Sequence, residues 1–196
     1  MSMFLGPIHY WLYGKIGHHE DFIRFLTEAT FKNGKLTSIS NYVRDVPPLE
    51  TLIDEGNVHG WFQFRITDAE RRYTALVLTM TTQEPDYIDL LIREAYAFGT
   101  QHSLPERTKP AEAYKAFEDF FVNGMPCDQI NLVTESTDHA LSWTQTRDLH
   151  ADAWSSQDGD VSIYYQLCKS VIDGILSESG LRLSMPDSSH YTIHLA

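Results

Sequence analysis

The stretch INLVTESTDHALSW, residues 130–143, is where the sequence changes from a helical pattern to a strand pattern. Apolar residues alternate with polar ones on both sides of a polar centre at Ser136-Thr137-Asp138: Ile130, Leu132, Leu141 and Trp143. A period of two on each side of a turn sequence is typical of a β-hairpin. The stretch therefore predicts that the C-terminal part of the chain contains a β-sheet.

The rest of the C-terminal part predicts one helix and a second hairpin. Asp160 is a suitable N-cap and Gly180 a suitable end for a helix whose apolar residues recur every three or four positions. Residues 181–195 then alternate again, on either side of a polar turn that begins at Pro186. The order strand, strand, helix, strand, strand favours one four-stranded antiparallel sheet.

Residues 1–125 predict an N-terminal bundle of about four helices. Proline is favoured at the first position of a helix, and it marks most of the starts. The predicted helices begin at Pro7, at either Pro48 or Val58, at Pro85 and at Pro110. No low-complexity linker separates this helical part from the β-containing residues 126–196, so we expect a single α+β domain over residues 1–196.

Composition argues against several classes of function. The chain has 27 acidic and 15 basic residues, and its formal net charge of −12 opposes binding to nucleic acid or to an anionic membrane surface. No window reaches the roughly 20 apolar residues of a membrane span, and the first residues lack a signal-peptide pattern. The chain has no nucleotide-binding glycine motif, and Cys127 and Cys168 are too few for a disulfide framework. We therefore expect a cytoplasmic protein without a nucleotide cofactor.

The helix predicted over residues 58–80 is the most informative about function. Successive side chains of an α-helix are rotated by about 100°. On this helix His59, Glu70 and Tyr73 therefore lie close to one line along the surface, within the apolar stripe. A carboxylate on a core face is costly unless it is paired, hydrogen-bonded or protonated. Two outcomes for Glu70 therefore stay open: an internal ion pair with an arginine, or a general acid or base in a pocket.

Histidine and tryptophan recur together at three places. The segment HYWL, residues 9–12, parallels HGWF, residues 59–62, either as an old helical repeat or by chance, and His150 lies one helical turn before Trp154. Histidine is a ligand of zinc and iron, so His9, His59 and His150 are candidate metal ligands if the fold brings them together. The alternative is that each histidine hydrogen-bonds to a backbone carbonyl. The neighbouring residues 18–19, both histidines, are expected on an exposed turn of the first helix.

Residues 140–195 also carry a family resemblance. LSWTQTRDLH, residues 141–150, ends the first hairpin and turns toward a helix, and Cys168 and Asp173 lie on the next helix before the two closing strands. This pattern resembles the C-terminal half of the bacterial L-2-amino-thiazoline-4-carboxylic acid hydrolase-like family. Arg147 and Cys168 occupy positions of the family pattern, whereas Asp148 stands in place of a cysteine. The resemblance implies an α+β fold and hydrolysis of a small amidine- or amide-like acid.

The same order of elements is more distantly similar to that of 4-vinyl reductase and haem-NO-binding domains. The haem domain's Tyr-x-Ser-x-Arg corresponds to WTQTR, residues 143–147, in which only the arginine is kept. Haem is therefore not expected from this resemblance.

The first hypothesis for function is a small-molecule-binding α+β protein that hydrolyses a small amidine- or amide-like organic acid. Arg147 would bind the carboxylate bidentately, His150 or His59 would act as the base, and Glu70 would orient that base or share its proton. The aromatic side chains expected in the ligand-binding wall are Trp61, Tyr73 and Trp154.

Two other hypotheses belong to different classes. One is a non-catalytic metal-binding or sensor domain with zinc or iron bound by His9, His59 and His150. The other is an interaction domain without a ligand, in which the histidines are structural. An aromatic fraction of 12% is compatible with a homodimer as well as with a large core.

Overall fold

The computed structural model describes residues 5–196 of the chain. The elements are α1 (Pro7–Lys32), α2 (Val58–Gln83), α3 (Tyr87–Thr100), α4 (Pro110–Phe120), β1 (Asn131–Ser136), β2 (Ala140–Gln145), α5 (Ala151–Ser155), α6 (Ser162–Ile175), β3 (Leu181–Ser184) and β4 (His190–Leu195). The predicted α+β architecture, four helices followed by strand, strand, helix, strand, strand, is confirmed. The five-residue helix α5 is an addition to it. Within residues 5–196, no helix is both long enough and apolar enough to cross a membrane.

Helix starts follow the local capping chemistry. Proline occupies the first turn of α1 and of α4, where its missing N–H costs no intrahelical hydrogen bond. The two starts left open for α2 are resolved in favour of Val58, because the Asn57 side chain accepts a hydrogen bond from the Gly60 backbone N–H at 3.1 Å. After Pro48 the chain forms only a short 3₁₀ turn, Leu49–Thr51.

The four strands form one antiparallel sheet in the order β1-β2-β4-β3. Its inner face is aromatic at the centre, where Trp143 of β2 lies opposite Tyr191 of β4 with ring centroids 5.0 Å apart and an interplanar angle of 7°. The edge strand β1 departs from the alternation expected of it. A register shift lies between Val133 and Glu135, and Leu132 is 59% exposed on the outer face.

The ends of α6 also differ in part from prediction. The N-cap is Val161 rather than Asp160, and the Asp160 Oδ1 atom accepts a hydrogen bond from the Ser162 backbone N–H at 2.8 Å just before the helix. The helix ends at Ile175 rather than at Gly180, and turns fill the interval. Gly180 ends those turns with φ of +75°, a left-handed conformation that glycine adopts without strain, and it leads directly into β3.

The largest apolar cluster joins the helical and the β-containing parts. It includes fully buried side chains from α1, α2, α6 and the sheet, among them Ile23, Leu76, Leu167 and Ile193. A smaller cluster lies between the N-terminal halves of α1 and α2. Because His9 contacts Phe62 and Phe22 contacts Tyr73, α1 and α2 run in the same direction. The related faces of these two helices therefore lie against each other.

Helices α3 and α6 approach each other very closely at a pair of glycines. A Cβ atom added to Gly99 would lie 2.1 Å from the Val171 carbonyl oxygen, and one added to Gly174 would lie 2.3 Å from the Tyr96 carbonyl oxygen. Both contacts are with backbone, which cannot move aside without separating the helices. This crossing fixes α6, and with it the C-terminal part, on the helical bundle.

We expect Gly174→Ala to lower the free energy of unfolding by about 1–3 kcal/mol, because the added methyl group overpacks the crossing. Gly14→Ala is the matched control, since Gly14 is helical and exposed and its Cβ would meet no atom within 4 Å. That change should instead raise the free energy of unfolding, by about 0.5–1 kcal/mol. Urea denaturation monitored by circular dichroism measures both. Equal effects of the two substitutions would contradict the close crossing.

Candidate functional site

A cavity of about 440 Å³ lies where α1 and α2 meet residues 122–128 and 147–156. This volume is within the range of roughly 300–1,000 Å³ that small-molecule sites occupy. Apolar side chains form part of the wall, including Ile16, Ile66, Val122 and Leu149. The titratable side chains in the wall are His19, Glu70, Arg71, Asp128, Arg147, His150 and Asp152.

Glu70 and His150 form a buried hydrogen-bonded pair in this wall. The Nδ1 atom of His150 lies 3.1 Å from Oε1 of Glu70, and the two residues are only 5% and 8% exposed. The imidazole stacks on the Tyr164 ring with 3.7 Å between centroids and 22° between planes. Asp148 accepts a hydrogen bond from the His150 backbone N–H at 2.8 Å. The ring of His150 is thus fixed by its side-chain partner, its stacking partner and its backbone.

His19 is a second imidazole beside the same carboxylate. Its Nε2 atom lies 3.9 Å from Oε2 of Glu70, so the two carboxylate oxygens face different histidines. The His19 side chain is 18% exposed, and the expectation of an exposed turn was wrong for it. His19 comes three residues after Ile16 and four residues before Ile23, so all three lie on one face of α1. This face packs against Tyr73 of α2. That spacing is a signal in the sequence that could have located it.

The electrostatics favour a charged Glu70. Burial by itself raises the pKa of this carboxyl group, but the attraction and hydrogen bond of His150, with a contribution from His19, bring the pKa below its ordinary value of 4.5. Burial lowers the pKa of His19 below 6.5, although nearby carboxylates oppose that shift. Burial also raises the pKa of Tyr73 and of Tyr164 well above 10.0. Near neutral pH the site therefore contains an ionised carboxylate and protonated phenols.

Two imidazole nitrogens of the site have no hydrogen-bond partner within residues 5–196. They are Nε2 of His150 and Nε2 of His19, and both atoms are buried. Buried polar atoms in folded proteins are nearly always hydrogen-bonded to protein, water or ligand. Because Nδ1 of His150 faces the ionised carboxylate of Glu70, we assign the proton to Nδ1 and a lone pair to Nε2. In this tautomer the Nε2 atom is a proton acceptor.

The other core glutamate, Glu20 of α1, has a different role. Its two carboxylate oxygens accept hydrogen bonds from Nη1 and Nη2 of Arg72 at 2.9 and 2.5 Å, and Glu20 is 2% exposed. Arg72 also donates to Asp68 and to the Tyr42 carbonyl oxygen. Of the two outcomes considered for a core carboxylate, Glu20 therefore takes the internal ion pair with an arginine. Glu70 has imidazole partners instead.

The remaining predicted ligand-binding residues lie in three different surroundings. Arg147 lines the cavity, but its side chain is 60% exposed and its guanidinium donates to Asp128 at 3.1 Å. Tyr73 and Trp154 are fully buried and contact each other edge to face, behind the wall rather than in it. The Trp154 indole contributes to the low pKa of Glu70, although its N–H has no hydrogen bond of good geometry. Trp61 lies apart, against Tyr13.

The three predicted metal ligands do not converge. His9 and His59 line a second cavity of about 310 Å³, whereas His150 lines the first. The Nδ1 atom of His9 accepts a hydrogen bond from the Gly6 backbone N–H, and its ring stacks on Phe62. His59 is exposed. Over residues 5–196 no three histidine, cysteine or carboxylate side chains are grouped so that they could bind a metal ion.

The sequence analysis did not identify three further charged residues of the wall, which are Arg71, Asp128 and Asp152. Asp128 follows α4, and Asp152 lies on the short helix α5, where no periodic pattern marks them. Arg71 follows Glu70 directly on α2. All three line the cavity.

The low pKa of buried His19 predicts a loss of stability in acid. The unfolded chain takes up a proton near pH 6.5, whereas folded His19 does so only at lower pH, so stability is complete above pH 6.5 and falls as pH decreases through that window. The largest slope from one such group is about 1.4 kcal/mol per pH unit. His19→Gln should therefore flatten the decrease in the free energy of unfolding between pH 7 and pH 5. Urea titrations at closely spaced pH values measure it.

His139→Gln is the control for that experiment, because His139 is exposed at the turn between β1 and β2. It should leave the pH dependence of the wild-type protein unchanged. His18 and His102 also have pKa values that burial lowers, so part of the acid sensitivity will remain in His19→Gln. A His19→Gln variant with the full wild-type slope would contradict the burial of this imidazole.

Comparison of the chain with protein-family models, with curated proteins and with solved structures finds no match. The function proposed below therefore rests on the geometry of the cavity and on the chemistry of the side chains that line it.

Proposed function

We propose that the protein binds a small organic acid in the 440 Å³ cavity and hydrolyses an amide- or amidine-like bond in it by general-base catalysis. One observation carries this proposal. His150 lines the cavity and is hydrogen-bonded through Nδ1 to the buried carboxylate of Glu70, while its Nε2 is buried and has no hydrogen-bond partner within residues 5–196.

The carboxylate–imidazole pair supports base chemistry in a specific way. Glu70 fixes the tautomer in which Nδ1 carries the proton, and it stabilises the imidazolium that forms when Nε2 accepts a second proton. The stacked Tyr164 ring limits rotation of the imidazole, so Nε2 keeps its position. Proton abstraction requires a base with one defined lone pair, and this tautomer of His150 provides it.

Hydrolysis of the bond needs water as its only co-reactant. Nε2 of His150 accepts a proton from a water molecule, and the oxygen forms a bond to the carbonyl or amidine carbon. The carbon–nitrogen bond then breaks, and the imidazolium of His150 returns its proton to the leaving nitrogen. Glu70 keeps its charge throughout and compensates that of the imidazolium.

Water is favoured as the nucleophile because the two hydroxyl side chains of the wall are hydrogen-bonded to groups other than His150. Ser156 donates its hydroxyl to the Ala153 carbonyl oxygen at 2.9 Å, and Thr67 accepts from the Gln63 amide. Neither hydroxyl is hydrogen-bonded to His150 among the described residues. Cys168 does not line this cavity, and burial raises the pKa of its thiol to about 12, which disfavours the nucleophilic thiolate.

An acid is the favoured class of substrate because the wall contains arginine. Arg71 and Arg147 both line the cavity, and guanidinium groups bind carboxylates well. The resemblance of residues 140–195 to a family that hydrolyses a cyclic amidine acid supports the same reaction class.

We expect His150→Asn to lower kcat for hydrolysis of an accepted acid by about 10²–10⁴-fold, because the general base is removed. Release of ammonia or amine from L-2-amino-2-thiazoline-4-carboxylate and from a panel of N-acyl and N-amidino amino acids provides the assay. Glu70→Gln should lower kcat as well, with a smaller change in KM, because the amide cannot stabilise the imidazolium. His139→Asn, at the exposed turn between β1 and β2, is the control.

Two results would count against the proposal. Turnover that is unchanged in His150→Asn would exclude this histidine as the base. If the protein binds an acid but hydrolyses no member of the panel, it is a binding protein rather than a hydrolase of these compounds. Parallel assays with and without a chelator, together with elemental analysis, test whether a transition metal takes part.

A further inference from the structure

The two arginines of the cavity wall differ in whether they already have a counter-ion. Arg147 donates to Asp128 at 3.1 Å, and Asp128 also accepts a hydrogen bond from the Met125 backbone N–H at 2.8 Å. The carboxylate is therefore fixed to its own loop, next to the arginine. A ligand that used Arg147 would have to compete with this neighbouring carboxylate.

Arg71 is in the opposite situation. Its guanidinium makes no ion pair or hydrogen bond with any of residues 5–196, and its backbone carbonyl accepts a hydrogen bond from the side-chain amide of Gln157. That contact ties the α2 turn carrying Arg71 to the segment after α5. Arg71 is exposed at the protein surface, and it lines the same cavity as Glu70 and His150.

Asp152 is the corresponding unpaired anion of the wall. It lines the same cavity, is exposed, and has no basic side chain within ion-pair distance among the described residues. Together with ionised Glu70 and with Asp128, it makes the cavity unfavourable for a second negative charge on the ligand. The wall thus contains one available cation and an excess of carboxylates.

We propose that Arg71, and not Arg147, binds the carboxylate of the substrate, and that Asp152 restricts the site to ligands with a single negative charge. This inference rests on the proposed function for the identity of the site, and it adds the residues that select the substrate. The substrate class is thereby a monocarboxylate of a size that the 440 Å³ cavity admits, with dicarboxylates excluded.

Binding of simple probes tests the inference without a known substrate. Butyrate, its neutral isostere butyramide and the dicarboxylate succinate are titrated into the ¹⁵N-labelled full chain at constant ionic strength, and the dissociation constants are measured by NMR. Butyrate should bind more tightly than either of the other two. Arg71→Ala should weaken butyrate binding by about tenfold, the cost of one lost charged hydrogen bond. Arg147→Ala should weaken it by less than about twofold, as expected for a side chain satisfied elsewhere.

Asp152→Asn provides a gain of binding that general damage to the fold cannot produce. We expect it to strengthen succinate binding by about threefold or more while it changes butyramide binding little, since one like charge near the ligand is removed. Wild-type circular dichroism and thermal midpoints of all three variants establish that each one is folded.

The possible outcomes separate this inference from the proposed hydrolysis. If Arg147→Ala weakens butyrate and Arg71→Ala does not, the assignment is overturned while His150-dependent hydrolysis can still be observed. Equal affinity for butyrate and butyramide, or no detectable binding of butyrate at all, also overturns the assignment. Loss of turnover in His150→Asn, together with butyrate binding that Arg71→Ala weakens and Arg147→Ala does not, would support both proposals.

Discussion

Burial of two carboxylates between α1 and α2 is the constraint on which the arrangement of the site depends. Removing an ionised carboxylate from water costs several kcal/mol, so each one needs a compensating partner in the folded chain. Glu20 receives a bidentate arginine, and the pair links the two parallel helices. Glu70 receives two imidazoles, which are weaker and titratable partners. The first carboxylate is paired with a permanently charged guanidinium, whereas the second is paired with side chains that also exist in a neutral form.

The partner of Glu70 comes from a distant part of the chain, since His150 is 80 residues away. It reaches the carboxylate because β2 ends beside the bundle and the chain turns there into α5. The close crossing of α3 with α6 fixes the position of this C-terminal part on the helices. The site is therefore a product of the packing between the two parts. Any change that separates them leaves Glu70 buried without its hydrogen bond to His150, so stability and chemistry are coupled through one contact.

Most of the helix starts and strands could be predicted because they depend on residues that are close in sequence. Two local rules act within a few residues: proline begins α1 and α4, and apolar residues alternate in β2 and β4. The prediction that Glu70 lies on a core face, with an environment unlike that of a surface carboxylate, also followed from one helix alone. The exposed Leu132 and the early end of α6 were missed, because a strand bulge and a series of turns depend on tertiary packing.

The site itself was predictable only in part, because its geometry is not local. His150 was recognised from a spacing, but nothing in the spacing paired it with Glu70, and His9 and His59 proved to line a separate cavity. The net charge of −12 repels an anionic ligand, so binding of a carboxylate must depend on contacts at short range. At physiological ionic strength such a charge is screened beyond about 8 Å, so it discourages anions only near the surface. A carboxylate ligand must therefore gain its binding energy from a cation that touches it, which makes the pairing state of each wall arginine the deciding property.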